Sequence, residues 1–246
     1  MITSIYRGGL GNQLFEVITG YFLAKKYNDN YAINCNLHRE YGQGNHIKTY
    51  VNSIFKNIEK TDHQSNNLYK EPQFNYTEIS YKKDLLLDGY FQSEKYFLNN
   101  RKDISELLGY TYKQEKNNTC VIHVRTGDYL YQSNFNVVTP RYFSNAIDYV
   151  LNENSDIVFK VISDNNNIAK NYIPNSINYE FCSSNELEDL KTLSECDYAI
   201  ISNSSFSWWG SYLGKDKKTI VPNKWFNNIT YDVSDIYRED MIKIEI

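Results

Sequence analysis

The chain contains no run of about twenty apolar residues, so nothing in it reads as a membrane span. Its first residues, Met1-Ile2-Thr3-Ser4-Ile5, lack the charged and apolar regions of a signal peptide and read directly as a strand. There is no basic run of the kind that tracks a phosphate backbone, and the net charge is −4, which disfavours nucleic acid as a partner. Cysteine is scarce: Cys35, Cys120, Cys182 and Cys196 show no CxxC spacing and sit in apolar stretches. They read as buried reduced thiols of a cytoplasmic protein rather than metal ligands. No GK[ST], GxGxxG, HExxH or Ser–His–Asp order occurs, and histidine numbers only four. No DxD pair exists, so a magnesium–diphosphate site of that type lacks support and no metal is expected. Four Asn-x-Ser/Thr triplets, Asn203 among them, read as chance without a secretory signal.

What the chain does have is aromatic residues, 15 % in all, with 23 Tyr. Tyrosine suits sugars and flat ligands, being apolar across the ring and polar at its tip. Compositional drift toward Tyr, Asn, Ile and Lys explains it equally well. At 246 residues the chain fits one large domain or two small ones.

In order, Ile2 to Tyr6 predicts a strand that runs into Arg7-Gly8-Gly9-Leu10-Gly11-Asn12-Gln13. A helix from Asn12 to Tyr27 follows, with Leu14, Phe15, Ile18, Phe22 and Leu23 as its apolar stripe. A strand, a three-glycine loop and a helix start together form an anion pocket, although most such loops are only tight turns. A strand at Tyr31–Cys35, a polar loop from Asn36 to Thr49 and a short helix at Val51–Phe55 come next. Short strands are expected near Ile58, Tyr76–Ile79 and Leu85–Asp88. Ser93 predicts the cap of a helix reaching Leu108, ended by Gly109. Tyr110 to Asn118 is polar and reads as a linker, dividing domains 1–115 and 116–246.

The second half alternates strand and helix: Cys120–Arg125, Arg141–Asn152, Ile157–Ile162, Asn166–Tyr172, Ile177–Phe181, Glu186–Glu195, Tyr198–Ser202, a helix after Asn203, then Thr219–Val221. That alternation predicts an α/β fold with a parallel, doubly wound sheet. The stretch Cys120 to Tyr129, CVIHVRTGDY, is its centre. Strand alternation puts His123 and Arg125 on one face, and Gly127 permits a turn before Asp128. An arginine at such a strand end suits a diphosphate, because its planar fork bonds oxygens two at a time. A surface Arg125–Asp128 pair is the plainer alternative. Asp164 ends another strand, where it would accept from a base or ribose or merely shape a turn. Asn203 to Ser207 sets hydroxyls and free N–H groups at a helix start, which favours a phosphate, though an ordinary serine cap is commoner. Trp208 and Trp209 read as core. Three phosphate-suited strand ends without a metal motif suggest a nucleotide diphosphate held by protein groups alone.

The segments GGLGNQLFE (Gly8–Glu16), DGYFQSEKYF (Asp88–Phe97), HVRTGDY (His123–Tyr129), VTPRYF (Val138–Phe143), SDN (Ser163–Asn165) and NSSFSWWGSYL (Asn203–Leu213) resemble, in order, those of glycosyltransferase family 11, the α-1,2-fucosyltransferases. The resemblance implies a GT-B architecture, two Rossmann-like domains facing across a cleft, with the first on the acceptor side and the second binding the donor. It implies GDP-β-L-fucose as donor substrate, no metal or other cofactor, inversion at the anomeric carbon, and a galactose-terminated glycan as acceptor. An acceptor carried on a lipid would bring the protein to the inner membrane face. Carried over by motif, Arg125 grips the β-phosphate and stabilises the leaving group. His123 contacts the nucleotide, and Asp164 lies near the guanosine. Ser204, Ser205, Phe206 and Ser207 line the diphosphate and nucleoside. Gly9, Gly11 and Asn12 close the cleft. Asp128 and Glu16 are the candidate general bases. Thr126 stands where the family often has a second arginine, and Tyr198 where histidine is common. The competing readings are a protein O-fucosyltransferase-like enzyme and a catalytically silent sugar- or nucleotide-binding protein.

Overall fold

The structure is a computed structural model describing residues 1–40, 44–111 and 115–246. The expected loop at Asn36–Thr49 and linker at Tyr110–Asn118 each lie partly outside the described residues. The chain forms two compact units, Met1–Tyr110 with Tyr231–Arg238, and Thr111–Thr230 with Glu239–Ile246.

Unit 1 contains β1 (Ile2–Ser4), α1 (Leu10–Lys26), β2 (Ala32–Ile33), β3 (Glu59–Lys60), β4 (Asn67–Lys70), β5 (Leu85–Asp88) and α2 (Arg101–Leu107). One parallel sheet runs β1-β5-β4, and β2 pairs parallel with β3. A parallel bridge from Ile2 to Tyr31, just before β2, joins the two. The strand sequence across unit 1 is therefore β3-β2-β1-β5-β4, with its direction of progression reversing between β1 and β5. Helix α1 is wrapped on most sides rather than along one stripe: Leu14, Phe15, Val17 and Ile18 are all 0 % exposed. Full burial of each such side chain is worth about 1.5–3 kcal/mol.

Unit 2 contains β6 (Thr119–Val124), α3 (Pro140–Glu153), β7 (Val158–Ser163), α4 (Asn166–Ala169), β8 (Tyr179–Phe181), α5 (Glu186–Glu195), β9 (Tyr198–Ile201), α6 (Ser205–Tyr212), β10 (Lys218–Pro222) and β11 (Met241–Ile244). Its six strands lie in the order β8-β7-β6-β9-β10-β11, all parallel. This is the doubly wound arrangement predicted, with the switch of winding between β6 and β9. As expected, Thr139 caps α3 by accepting from the Tyr142 N–H (3.2 Å), with Pro140 in the first turn. Tyr142 then sends its hydroxyl to the carbonyls of Ile201 (2.7 Å) and Ile220 (3.2 Å), tying α3 to β9 and β10. Trp208 and Trp209 are wholly buried core residues, as read.

The expected helix from Ser93 to Leu108 is instead a short 3-10 turn, Glu94–Tyr96, followed by α2. Asn99 takes φ 65°, and the Asn100 side chain donates to the carbonyls of Phe97 and Leu98, so the first turn cannot propagate. Gly109, at φ 82°, ends α2 as predicted. Val51–Phe55 forms turns rather than a helix. Tyr76–Ile79 is not a strand. The Tyr76 N–H goes to the Asp235 carboxylate and the Thr77 N–H to the Tyr96 hydroxyl, leaving no ladder for them to join. Strands β4 and β11 were not foreseen.

Candidate functional site

The switch of winding in unit 2 places the ends of β6 and β9 side by side, and the sequence motifs sit there. Ser202, just past β9, stitches the two ends. Its hydroxyl donates to the His123 carbonyl (2.9 Å) and accepts from the Arg125 N–H (3.0 Å). The chain then turns through Ser204, whose N–H reaches the Ser202 carbonyl (2.7 Å), into α6. Ser204 occupies the cap position of α6 without a side-chain cap bond, and no acidic residue lies in the first turn. The start of α6 thus carries no acidic residue of its own against its positive end, and Ser202 joins the turn before it to the Arg125 backbone.

Arg125 is a quarter exposed and lies between two carboxylates. One nitrogen bonds Asp128 Oδ1 at 2.6 Å, and the other meets Asp164 Oδ2 at 3.0 Å. Its guanidinium carbon stands 5.2 Å from the centre of the Tyr129 ring. Asp164 also accepts from the Thr126 N–H (2.9 Å) and hydroxyl (2.6 Å). Burial pushes the Asp164 carboxyl up, but the two Thr126 bonds and Arg125 outweigh it and hold the pKa below its ordinary value. The carboxylate is therefore ionised at neutral pH and fixes the guanidinium from a second side. Gly127 makes this possible: at φ 20°, a Cβ there would lie 2.4 Å from Asp164 Oδ2.

His123 is 5 % exposed, its ring centre 5.7 Å from that of Phe206. Burial first, then the charge of Arg125, lowers its pKa to about 4, so the ring is neutral near pH 7. Its Nδ1 is buried without a hydrogen-bond partner. Ser205 and Phe206 are half-buried at the start of α6. Ser207 is fully buried and directs its hydroxyl to the Ser204 carbonyl (3.3 Å). Asn203 is 1 % exposed, and its amide donates to the carbonyls of Phe135 (3.0 Å) and Trp225 (2.8 Å), so it anchors loops and offers nothing to a glycosylating enzyme. The structure thus brings the side chains of Arg125, Asp128 and Asp164 together, with the turn into the Ser204–Ser207 helix start joined to the Arg125 backbone through Ser202 and the His123 ring against that of Phe206.

The remaining motif residues belong to unit 1. Gly9 is the cap residue before α1, Gly11 is buried, and Asn12 accepts from the Gln92 amide (2.8 Å). Glu16 is 0 % exposed. Burial drives its carboxyl well above the usual range, against the opposing pull of Arg7, whose N–H it accepts at 3.1 Å. Arg7 forms an ion pair with Asp88 at the end of β5. These partners were not foreseen. The only signals for them were a basic residue before the glycine loop and an aspartate opening DGYFQSEKYF.

Among the described residues no group of three or more His, Cys, Asp or Glu side chains could hold a metal ion. No described helix is long and apolar enough to cross a membrane.

Comparison with known proteins agrees with the motif reading. The family "Glycosyl transferase family 11" matches residues 46–245. The O-antigen biosynthesis glycosyltransferase WbnK of Escherichia coli is 29 % identical, over 91 % of this chain and 94 % of that protein. An alpha-1,2-colitosyltransferase of Escherichia coli is 28 % identical over 97 % of both chains. A galactoside 2-alpha-L-fucosyltransferase of Caenorhabditis elegans is 28 % identical, over 89 % of this chain and 71 % of its own length. Two Rossmann-like units in one glycosyltransferase chain are the components of the GT-B class. The chain belongs to glycosyltransferase family 11 and is a glycosyltransferase of the fucosyltransferase type.

Proposed function

We propose that the protein is an inverting α-1,2-fucosyltransferase that moves L-fucose from GDP-β-L-fucose to the 2-hydroxyl of a terminal galactose in a glycan, without a metal. The observation that carries this reading is an arginine at the switch point of a doubly wound sheet, its backbone N–H joined through Ser202 to the turn that opens a helix whose cap residue makes no side-chain cap bond. Both groups suit the charge that grows on a departing nucleoside diphosphate. Asp128 and Asp164 hold the guanidinium in place. In this reading Ser204, Ser205 and Phe206 lie along the diphosphate and nucleoside, and Asp164 borders the base or ribose. His123 supports Phe206 from below as a neutral ring. The protein works in the cytoplasm, and a lipid-carried acceptor would bring it to the inner membrane face.

The test is a donor and acceptor screen. Transfer from GDP-fucose to lactose or a galactosyl disaccharide, retained in the presence of a chelator, is expected, together with GDP binding by calorimetry. The similarity to an alpha-1,2-colitosyltransferase makes GDP-colitose the second donor to include. Transfer to a folded protein domain alone would favour protein O-fucosylation. GDP binding without transfer to any acceptor would mark a binding protein.

A further inference from the structure

The segment DGYFQSEKYF takes no part in the nucleotide reading of unit 2, yet its last residues line a cavity. Lys95, Tyr96 and Phe97 lie on one part of the wall, and Thr19, Phe22 and Lys26 of α1 on another. The volume is about 370 Å³, within the range of small-molecule sites. Every lining residue belongs to unit 1. Thr19 stands about 15 Å along α1 from Gly9, so the cavity is separate from the glycine loop. The fold builds it from two irregular stretches. Asn99, at φ 65°, keeps the turn Glu94–Tyr96 from running on into α2, and Leu98 is left 53 % exposed at the break. Tyr76 stays outside the sheet, its N–H on Asp235 and the following N–H, of Thr77, on the Tyr96 hydroxyl. The Tyr76 and Tyr96 rings then stand 4.8 Å apart.

The lining has two chemical parts. Phe22, Tyr76, Tyr96 and Phe97 supply aromatic surface, and the exposed Leu98 extends it, which suits a flat apolar body. Three ammonium groups, those of Lys25, Lys26 and Lys95, accompany it, against Glu78 as the one lining carboxylate. All three lysine side chains are more than half exposed. Each has an acidic partner: Asp103 for Lys25 (2.9 Å), Glu78 for Lys26 (3.4 Å) and Asp235 for Lys95 (2.6 Å). Exposed pairs of this kind hold weakly, and an ammonium carries three N–H donors, so each lysine has capacity for a further anion. A second, separate observation concerns Thr19. It is 1 % exposed, and its hydroxyl has no hydrogen-bond partner. A threonine within a helix commonly returns that hydroxyl to a carbonyl one turn back. Here a donor and an acceptor are left unspent beside the cavity.

We propose that this cavity is a binding site for a small aromatic carboxylate, with its ring on the Phe22, Tyr76 and Tyr96 surface and its carboxylate on the lysine rim. An apolar interior with a cationic rim complements a ligand that is flat and apolar at one end and anionic at the other. The rim is positive although the chain as a whole carries a net charge of −4, so the preference for an anion is local to this place. The site stands apart from the nucleotide residues of unit 2 and holds whichever sugar the enzyme transfers.

The test titrates the full chain with 2-naphthoate, and with 2-naphthalenemethanol as its neutral counterpart, by calorimetry and by Tm. Naphthoate should raise Tm as it saturates the site and should bind about tenfold tighter than the alcohol at low salt. That advantage should shrink in about 1 M salt, where exposed charges are screened. Leu98→Glu sets a negative charge at the rim on a side chain that is already exposed. It should keep the wild-type Tm and GDP affinity and weaken naphthoate by about tenfold or more. The double variant Lys25→Gln with Lys26→Gln should bind naphthoate and the alcohol about equally, and it serves alone if Leu98→Glu does not fold. No naphthoate binding at millimolar concentration overturns the site. Equal affinity of the wild type for the two probes overturns the carboxylate. Wild-type naphthoate affinity in both variants puts the probe elsewhere on the chain and overturns the assignment to this cavity.

Discussion

At the scale of single residues, Arg125 carries the functional argument, and its surroundings sharpen the test. A guanidinium between two carboxylates has two explanations: a positioned catalytic charge, or a structural ion-pair network. They separate on mutation. If Arg125 meets the charge on the leaving group, Arg125→Ala should lower kcat by about 10²–10³-fold. Asp128→Asn removes only one of its two supports and should cost about tenfold. Initial rates at saturating donor, with Tm measured alongside, decide the matter. Equal losses in the two variants would assign Arg125 to structure. The motif HVRTGDY was legible because its residues lie within seven positions of one another. The Thr126–Asp164 bonds were not, since they join positions 38 apart through the adjacency of β6 and β7, which only the folded sheet creates. The pairing of Arg7 with Asp88 was hidden for the same reason. No local spacing joins residue 7 to residue 88.

At the scale of elements, what could be read was whatever the local pattern fully determines. The α3 cap and its proline, the α2 terminator at Gly109 and the strands of the unit 2 core all followed from near neighbours in sequence. Strand β4, Asn-Leu-Tyr-Lys, was missed because it lies mostly exposed at a sheet edge and lacks an apolar signature. Strand β11 was missed because a long irregular stretch separates it from β10, the strand it pairs with. The turn after β6 was half legible. Glycine at 127 announced a bend, but the need for it comes from the Asp164 carboxylate crowding the missing Cβ. Gly127→Ala therefore has to displace Asp164 or strain a backbone at φ 20°. It should lose about 1–3 kcal/mol of stability. It should also loosen Arg125, since Asp164 is one of its two anchors, so turnover should fall along with Tm. Normal kcat at reduced Tm would show that Asp164 does not position the guanidinium.

At the scale of the molecule, the two units repeat one physical scheme. Each is a parallel sheet wound in both directions, and each has an arginine held by carboxylates close to its switch point, Arg7 in one and Arg125 in the other. The chain does not divide between them at a single place. Residues 231–238 belong to unit 1, although unit 2 supplies the residues on either side of them. Asp235 secures that return segment. Its carboxylate accepts the Tyr76 N–H (2.9 Å) and Lys95 Nζ (2.6 Å), while its own N–H donates to Asn75 Oδ1 (3.2 Å). Lys95 is more than half exposed, so that ion pair contributes little. The Tyr76 bond matters more, because a part-buried amide would lose its partner. Asp235→Ala should cost about 1–3 kcal/mol, read as a lower Tm. GDP affinity by calorimetry should stay at the wild-type value, since every residue assigned to the nucleotide in unit 2 lies outside this segment. A matching loss of GDP affinity would mean that the return segment sets the donor site as well as the stability of unit 1.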